Sequence, residues 1–213
     1  MLASRNAGKL VELRAIARTR DIAVVDLRES GVREDAVAEE AIESFGTFEE
    51  NALAKARYFS ARMPGRIVLA DDSGLVVDAL GGAPGVRSKR WSGRTDIGGP
   101  ALDAANNALL VASIAAHAQR AARFVCAAAW SDGSTHLVVR GEVVGRILDT
   151  PAGSAGFGYD PYMFVDELGM TLAEATLEEK QRVSHRARAF LALFNALDVR
   201  GLMTCAVPRA ERS

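Results

Sequence analysis

Cysteine is scarce in this 213-residue chain, where only Cys126 and Cys205 occur. The two lie far apart and lack metal-ligand spacing, which argues against a disulfide framework and against a Cys-based zinc site. Cys126 sits in the apolar run Phe124-Val125-Cys126-Ala127 and reads as a small core residue, and both thiols fit a reducing, cytoplasmic setting. Long hydrophobic runs are missing as well. None approaches the roughly 18 residues of a spanning helix, and Arg5 and Lys9 interrupt the amino end, so neither a membrane span nor a signal peptide is expected. Excess charge is also absent: a net charge of −1 gives no general argument for a nucleic-acid polymer or a membrane as partner. There is no internal repeat and no low-complexity linker. Two nucleotide signatures fail on single positions. A Walker A loop needs a glycine where Ala3 stands, five residues before Gly8, and Pro161 occupies the third glycine position of a dinucleotide fingerprint.

What is present is a globular composition, 49% hydrophobic and 25% charged, long enough for one large domain or one domain with two lobes. The stretch Leu69-Ala70-Asp71-Asp72-Ser73-Gly74-Leu75 organises it. Ile67 to Leu69 read as a buried strand that Ser73-Gly74 stops, so that two carboxylates emerge where strand meets loop. Such a pair suits a divalent metal or a general base, and it also suits an ordinary solvated turn. Upstream, Leu10, Leu13, Ile16 and Ala17 mark one face of a helix for which Asn6 is the N-cap. Gly8 and Lys9 then fall in its first turn, where free amides and the positive dipole end favour an anion, and the preferred reading is a phosphate-binding turn. Ile22 to Val25 with Leu27 suggest a second strand, followed by an acidic, loosely patterned segment from Glu29 to Glu43.

Thr47-Phe48-Glu49-Glu50 matches a capping box opening a helix that ends before Pro64-Gly65. Asn51 and Lys55 share one face of it, as a cleft wall or a surface pair. Gly81 to Gly85 form a rigid loop, and the basic residues Arg87, Lys89 and Arg90 follow with Trp91. A helix from about 101 to 121 precedes strands at 124–130 and 135–140 joined by a hairpin at Ser131-Asp132-Gly133-Ser134, with 142–148 extending that sheet. Glycines around Phe157 in Gly153 to Pro161 allow its ring to be exposed, as stacking on a base requires, and the stretch also reads as a glycine-rich loop with a core Phe. A second capping box at Thr176 to Glu179 opens the last helical region. Lys180, His185 and Arg186 cannot share one face of an unbroken helix; if Ser184 caps a new one, His185 and Arg186 sit in its first turn. His117 and His136 have no evident partners, and the chain from about Arg200 reads as a frayed, flexible tail.

Six blocks occur in this order: Ser4-Arg5-Asn6-Ala7-Gly8-Lys9, Phe48-Glu49-Glu50-Asn51-Ala52, Asp71-Asp72-Ser73-Gly74-Leu75, Gly81-Gly82-Ala83-Pro84-Gly85-Val86, Phe157-Gly158-Tyr159-Asp160-Pro161 and Ser184-His185-Arg186. The ordered set resembles the inosine/xanthosine triphosphate pyrophosphatases over roughly residues 2 to 198. That resemblance implies an α/β fold with a long twisted mixed sheet flanked by helices, and two lobes around an active-site cleft in a single domain, 1–198. It implies a homodimer and Mg²⁺-dependent hydrolysis of a purine nucleoside triphosphate substrate (ITP, dITP or XTP) to a monophosphate and pyrophosphate. Carried over block by block, Ser4, Arg5, Asn6, Ala7, Gly8 and Lys9 resemble the triphosphate cradle. Glu43 resembles a metal-ligating acid, Asp72 the metal-linked general base, and Ser73 a substrate contact. Phe157, Gly158, Tyr159, Asp160, Lys180, His185 and Arg186 are similar to the base-recognition and phosphate-facing set, with Asp71, Lys55 and Glu50 as supporting residues. The family has a longer first strand than Met1 to Ala3. Two alternatives are a Maf-like pyrophosphatase of other nucleotides and a non-catalytic nucleotide sensor.

Overall fold

The structure, a computed structural model, describes residues 1–202. In chain order it contains α1 (Ala7–Arg18), α2 (Ala36–Ile42), α3 (Phe48–Arg62), β1 (Val68–Val77), two 3₁₀ segments (Asp78–Leu80 and Gly85–Arg90) and α4 (Gly99–Ile114). There follow β2 (Ala121–Ser131), β3 (His136–Ile147), β4 (Met163–Val165), β5 (Met170–Thr171), α5 (Leu177–Val183) and α6 (His185–Val199). The five strands form one sheet in sequential order, each antiparallel to the next. Its parallel component comes from the amino end, where Leu2 bridges Asp26 on one side and Leu69 on the other.

Alternation along β1 decides what each face becomes. Leu69 points to a cluster built from Leu13 and Ile16 of α1 and from Phe190, Leu193, Phe194 and Leu197 of α6. Val68 and Ala70 point the other way, to Ala52, Ala56 and Phe59 of α3. A third cluster gathers Leu110 and Ile114 of α4 with Phe124, Val143, Tyr159 and Met163 around the far half of the sheet. The α/β architecture expected from the sequence is therefore present, with helices on both faces. No helix of the described residues is long and apolar enough to cross a membrane.

Several boundaries differ from the sequence reading. β1 does not stop at Ser73-Gly74; it runs unbroken to Val77, because β2 pairs with it along its whole length, Val68 opposite Ser131 through Val77 opposite Ala122. Tertiary pairing overrides the turn preference of Ser and Gly. Residues 22–25 form no strand. They are extended beside Leu2, whose amide donates to the Val25 carbonyl at 2.8 Å, and the pairing there is an isolated bridge between Leu2 and Asp26. The helix expected over 101–121 spans Gly99–Ile114, and residues from Ala121 belong to β2. The strands expected at 135–140 and 142–148 are one strand, β3. Of the expected tail, Arg200 to Leu202 close α6 in a turn, with Leu202 packed against the α1/α6 cluster. The rest of it, Cys205 included, lies outside the described residues.

Gly74 shows why that stretch resembles a turn. The 3₁₀ segment Gly85–Arg90 is pressed against it, and a Cβ there would sit 2.5 Å from the Gly85 carbonyl oxygen and closer still to Ser88 Oγ. Ser88 Oγ uses that proximity, accepting from the Leu75 amide at 2.8 Å while donating to the Gly85 carbonyl at 2.6 Å. The glycine is a packing requirement within a strand. Gly74→Ala is expected to lower the urea-unfolding free energy by about 1–3 kcal/mol, the usual cost of overpacking, measured by equilibrium denaturation.

Candidate active site

Because side chains alternate along β1, Asp71 faces α1 and α6 while Asp72 faces α3. Asp71 is 1% exposed. Lys9 Nζ lies 3.0 Å from its Oδ2, Arg186 Nε 3.3 Å from the same atom, and its backbone carbonyl accepts from Lys55 Nζ at 2.9 Å. Burial by itself would raise its pKa, but the charges of Lys9, Arg186 and Lys55 outweigh that effect and hold the carboxyl well below the ordinary carboxylate range. A group so firmly ionised anchors cations and exchanges no proton near neutrality. Asp72 has the opposite character. Burial holds its carboxyl above the usual range, Lys9 and Lys55 pull against that shift, and the negative charge of Glu43 adds to it. Its Oδ2 accepts from Asn51 Nδ2 at 3.0 Å and its Oδ1 from the Ser73 amide at 2.9 Å, so the group is aimed as well as poised.

The first turn of α1 is built as expected. Asn6 Oδ1 accepts from the Lys9 amide at 3.0 Å, and Ser4 Oγ accepts from the Asn6 amide at 3.3 Å. A Cβ on Gly8 would collide with the ring of Phe157, so the glycine lets that ring lie against the turn. Phe157 is thereby half-buried rather than freely exposed, with the Arg186 guanidinium carbon 5.8 Å from its ring centroid. Arg5 departs from the cradle reading. It forms a two-pronged pair with Glu39, Nε to Oε2 at 3.0 Å and Nη2 to Oε1 at 2.7 Å, and donates to the Arg33 carbonyl at 3.0 Å.

Glu43 is the C-cap of α2, and its carboxylate pairs with Lys55, one turn beyond Asn51 on α3. Asn51 and Lys55 are thus not a surface pair: the first is bonded to Asp72 and the second lies between Glu43 and the Asp71 backbone. Burial opposes ionisation of Glu43, yet Lys55, Lys9 and Lys89 together keep its pKa below the ordinary value. From the basic loop Arg90 reaches this element, donating to the Glu43 carbonyl at 3.1 Å. Among the described residues no group of three or more His, Cys, Asp and Glu is placed to enclose a metal ion.

On the other side, Ser184 ends α5 and caps α6, its Oγ accepting from the Ala187 amide at 3.1 Å. This break brings Lys180 and Arg186 to one place. Lys180 Nζ lies 2.8 Å from Asp160 Oδ2 and 3.9 Å from Glu12 Oε1, while Arg186 pairs with Glu12 and donates to Ser73 Oγ at 2.9 Å. Asp160 also accepts from the Phe157 amide at 3.0 Å, fixing the loop that carries the ring. His185 stacks on Phe124, centroids 4.9 Å apart, and burial, with the neighbouring guanidinium, holds its pKa well below the ordinary value. Its Nδ1 is buried without a hydrogen-bond partner.

Glu12 escaped the sequence reading although a signal exists: it lies three residues after Lys9 and four before Ile16, on the buried face of α1. Asp103 and Asn107 of α4 were missed too; they hold the Gly158 amide at 2.8 Å and carbonyl at 2.9 Å. Two expected site residues are committed elsewhere. The Tyr159 side chain is in the core with its hydroxyl donating to the Ser88 carbonyl at 2.8 Å, and Glu50 accepts from the Thr47 hydroxyl at 2.7 Å in the cap of α3. His136 does have a partner, Arg57, whose Nη2 lies 2.8 Å from its Nε2.

Removing the buried anion alone would leave Lys9 without its carboxylate and Arg186 with Glu12 as its remaining anion. Asp71→Asn is expected to cost about 3–5 kcal/mol of stability at pH 7. The folded pKa lies below the unfolded one, so this contribution is present above about pH 4 and is lost as pH falls toward the folded value. Denaturation of both proteins between pH 3 and 7 should show the gap narrowing in acid.

Comparison with known proteins places the chain as a whole. A match to the Ham1 family extends over residues 1–196. The chain is 44% identical over 200 residues to a dITP/XTP pyrophosphatase of Ralstonia nicotianae, covering 92% of this chain and 95% of that protein. It is 47% identical over 204 residues to a dITP/XTP pyrophosphatase of Frankia alni, covering 92% and 96%. The solved Ham1 protein of Staphylococcus aureus superposes with a TM-score of 0.77 at 34% identity, over 93% of this chain and 97% of that one. With sequence and fold matched over nearly the full length, the chain belongs to the Ham1 family.

Proposed function

We propose that this chain hydrolyses the non-standard purine nucleoside triphosphates ITP, dITP and XTP to the monophosphate and pyrophosphate, removing them from the nucleotide pool. In this reading residues 1–198 act as a single domain, Mg²⁺ is the cofactor, and the protein works in the cytoplasm as a homodimer. That the relatives of Ralstonia nicotianae and Frankia alni are dITP/XTP pyrophosphatases supports the substrate class. The observation that carries the reading is Asp72: a buried carboxyl raised in pKa, aimed by Asn51, facing Glu43 across a cleft that also holds Lys9 and Lys55.

The donor set fits magnesium. Two carboxylates that repel one another are a poor resting pair and a suitable partial shell for a hard cation that takes its remaining ligands from phosphate oxygens and water. Glu43 and Asp72 would hold it, and when bound it would offset phosphate charge and polarise the phosphorus under attack. The chain's own residues do the rest. The free amides at the start of α1 and the Lys9 ammonium bind the phosphates. Asp72 accepts a proton from water as the water oxygen bonds to the α-phosphorus and the bond from that phosphorus to the α–β bridging oxygen breaks, releasing pyrophosphate. Phe157 stacks on the base, and Lys180, His185 and Arg186 direct donors to a 6-keto oxygen. Adenine presents an amino group at that position, leaving buried donors unpaired, which supports a large discrimination factor.

With Mg²⁺ present, pyrophosphate release from ITP and XTP is expected to exceed that from ATP and dTTP by at least about a hundredfold in kcat/KM. A panel of ITP, XTP, GTP, ATP and dTTP measures this. Preference for dTTP or UTP would replace the reading with a Maf-like one, and tight binding without turnover would replace it with a sensor. Asp72→Asn is expected to lower kcat on the order of 10³-fold, while wild-type turnover in this variant would remove Asp72 from its role.

A further inference from the structure

The segment that carries Glu43 has almost no apolar hold on the protein. α2 is seven residues long, none of its residues is buried, and Val37, Ala41 and Ile42 belong to none of the three core clusters. A helix this short is marginal without packing. Its links to the body are polar: Lys55 to the Glu43 carboxylate, Arg90 to the Glu43 carbonyl at 3.1 Å, and Arg5 to Glu39. The last is the best formed. Both prongs of the Arg5 guanidinium engage the Glu39 carboxylate, and the same group donates to the Arg33 carbonyl at 3.0 Å, just ahead of the helix. Two-pronged pairs of this kind fix orientation as well as distance. Hydrogen bonding to Arg5 holds Glu39 below the ordinary carboxylate range, so the pair stays charged near neutrality.

Glu43 directly ends the helix that carries Glu39, four residues on. Holding Glu39 therefore limits where the end of α2 can deliver Glu43. Arg5 in turn directly precedes Asn6, the cap of α1. One residue thus connects the phosphate cradle to the element that delivers the second carboxylate of the cleft.

We propose that Arg5 is a positioning residue that latches α2 to the cradle turn through Glu39 and thereby sets where Glu43 meets Asp72. The link to catalysis rests on the roles given to Glu43 and Asp72 above; the latch itself does not. It is tested with Arg5→Gln, Glu39→Gln and the double variant. In the nucleotide-free proteins, hydrogen exchange of amides 36–43 is expected to quicken about ten- to a hundredfold in each single variant, the range for loss of a charge-assisted hydrogen bond. Exchange in the double variant should be no faster than in Arg5→Gln, and α1 amides should be unchanged. In turnover of ITP, both single variants should need about tenfold more Mg²⁺ for half-maximal rate, with the KM for ITP at saturating metal little changed. An Arg5→Gln variant with raised KM beside a Glu39→Gln variant like wild type would make Arg5 a phosphate ligand and overturn the proposal. Unchanged α2 exchange in both singles would overturn it as well. If the wild type hydrolyses none of the triphosphates, the proposed function fails, while the exchange measurements still decide the latch.

Discussion

The structure depends first on the buried carboxylate of Asp71. Its Oδ2 lies within 3.3 Å of cationic nitrogens from both Lys9 on α1 and Arg186 on α6, and its backbone carbonyl holds Lys55 of α3. Three helices on two faces of the sheet are thereby referred to one residue in the middle of β1. An isolated charge at 1% exposure would be untenable, and so would the cations around it, so each group keeps the others in place. This mutual dependence is why Asp71 cannot double as the proton acceptor. A carboxylate that stabilises its surroundings by staying charged has nothing to gain by taking a proton.

Charge matching around it separates the cleft into a closed half and an open one. Glu12, Asp71 and Asp160 face Lys9, Lys180 and Arg186, three against three, with each carboxylate paired. On the α3 side Lys55 pairs with Glu43 and also acts on Asp72, whose pKa is raised chiefly by burial with the charge of Glu43 adding to it. The first half is a scaffold that can orient donors without changing protonation. The second holds two acids close to the cations Lys9 and Lys55, and it is the half on which the proposed function draws.

How much of this was legible depends on whether the signal was local. The Asn6 cap, the α3 start at Thr47, the Thr176 capping box and the Ser184 break all follow from nearest-neighbour chemistry and appear where the sequence put them. That Asp71 and Asp72 face opposite sides of β1 followed from strand alternation. What was not legible needed partners far away in the chain. Ser73-Gly74 has turn composition, yet β2 pairs across it and the Gly85–Arg90 segment occupies the space beside Gly74. Arg5 sits inside a block that reads as cradle, but a carboxylate 34 residues on claims it. Tyr159 belongs to a glycine-rich loop motif, and its ring is absorbed by the core around α4. Glu12 had a local signal, a charged residue on an apolar stripe, whose meaning appears only once Arg186 and Lys180 arrive from the other end of the chain.

That arrival turns on a single non-helical residue. In one continuous helix, Lys180 and Arg186 would be separated by about 600° of rotation, which leaves them roughly 120° apart around the axis and facing different ways. Ser184, extended at φ −62° and ψ 150°, ends α5 and restarts the chain as α6, so that both side chains turn toward Glu12. The same residue supplies the caps for this break: its amide donates to the Lys180 carbonyl at 2.8 Å and its hydroxyl accepts from the Ala187 amide. Breaking the helix costs little because both ends are satisfied locally. The gain is that cations from two helices converge on one acidic residue of α1, holding α1, α5 and α6 in a fixed relation.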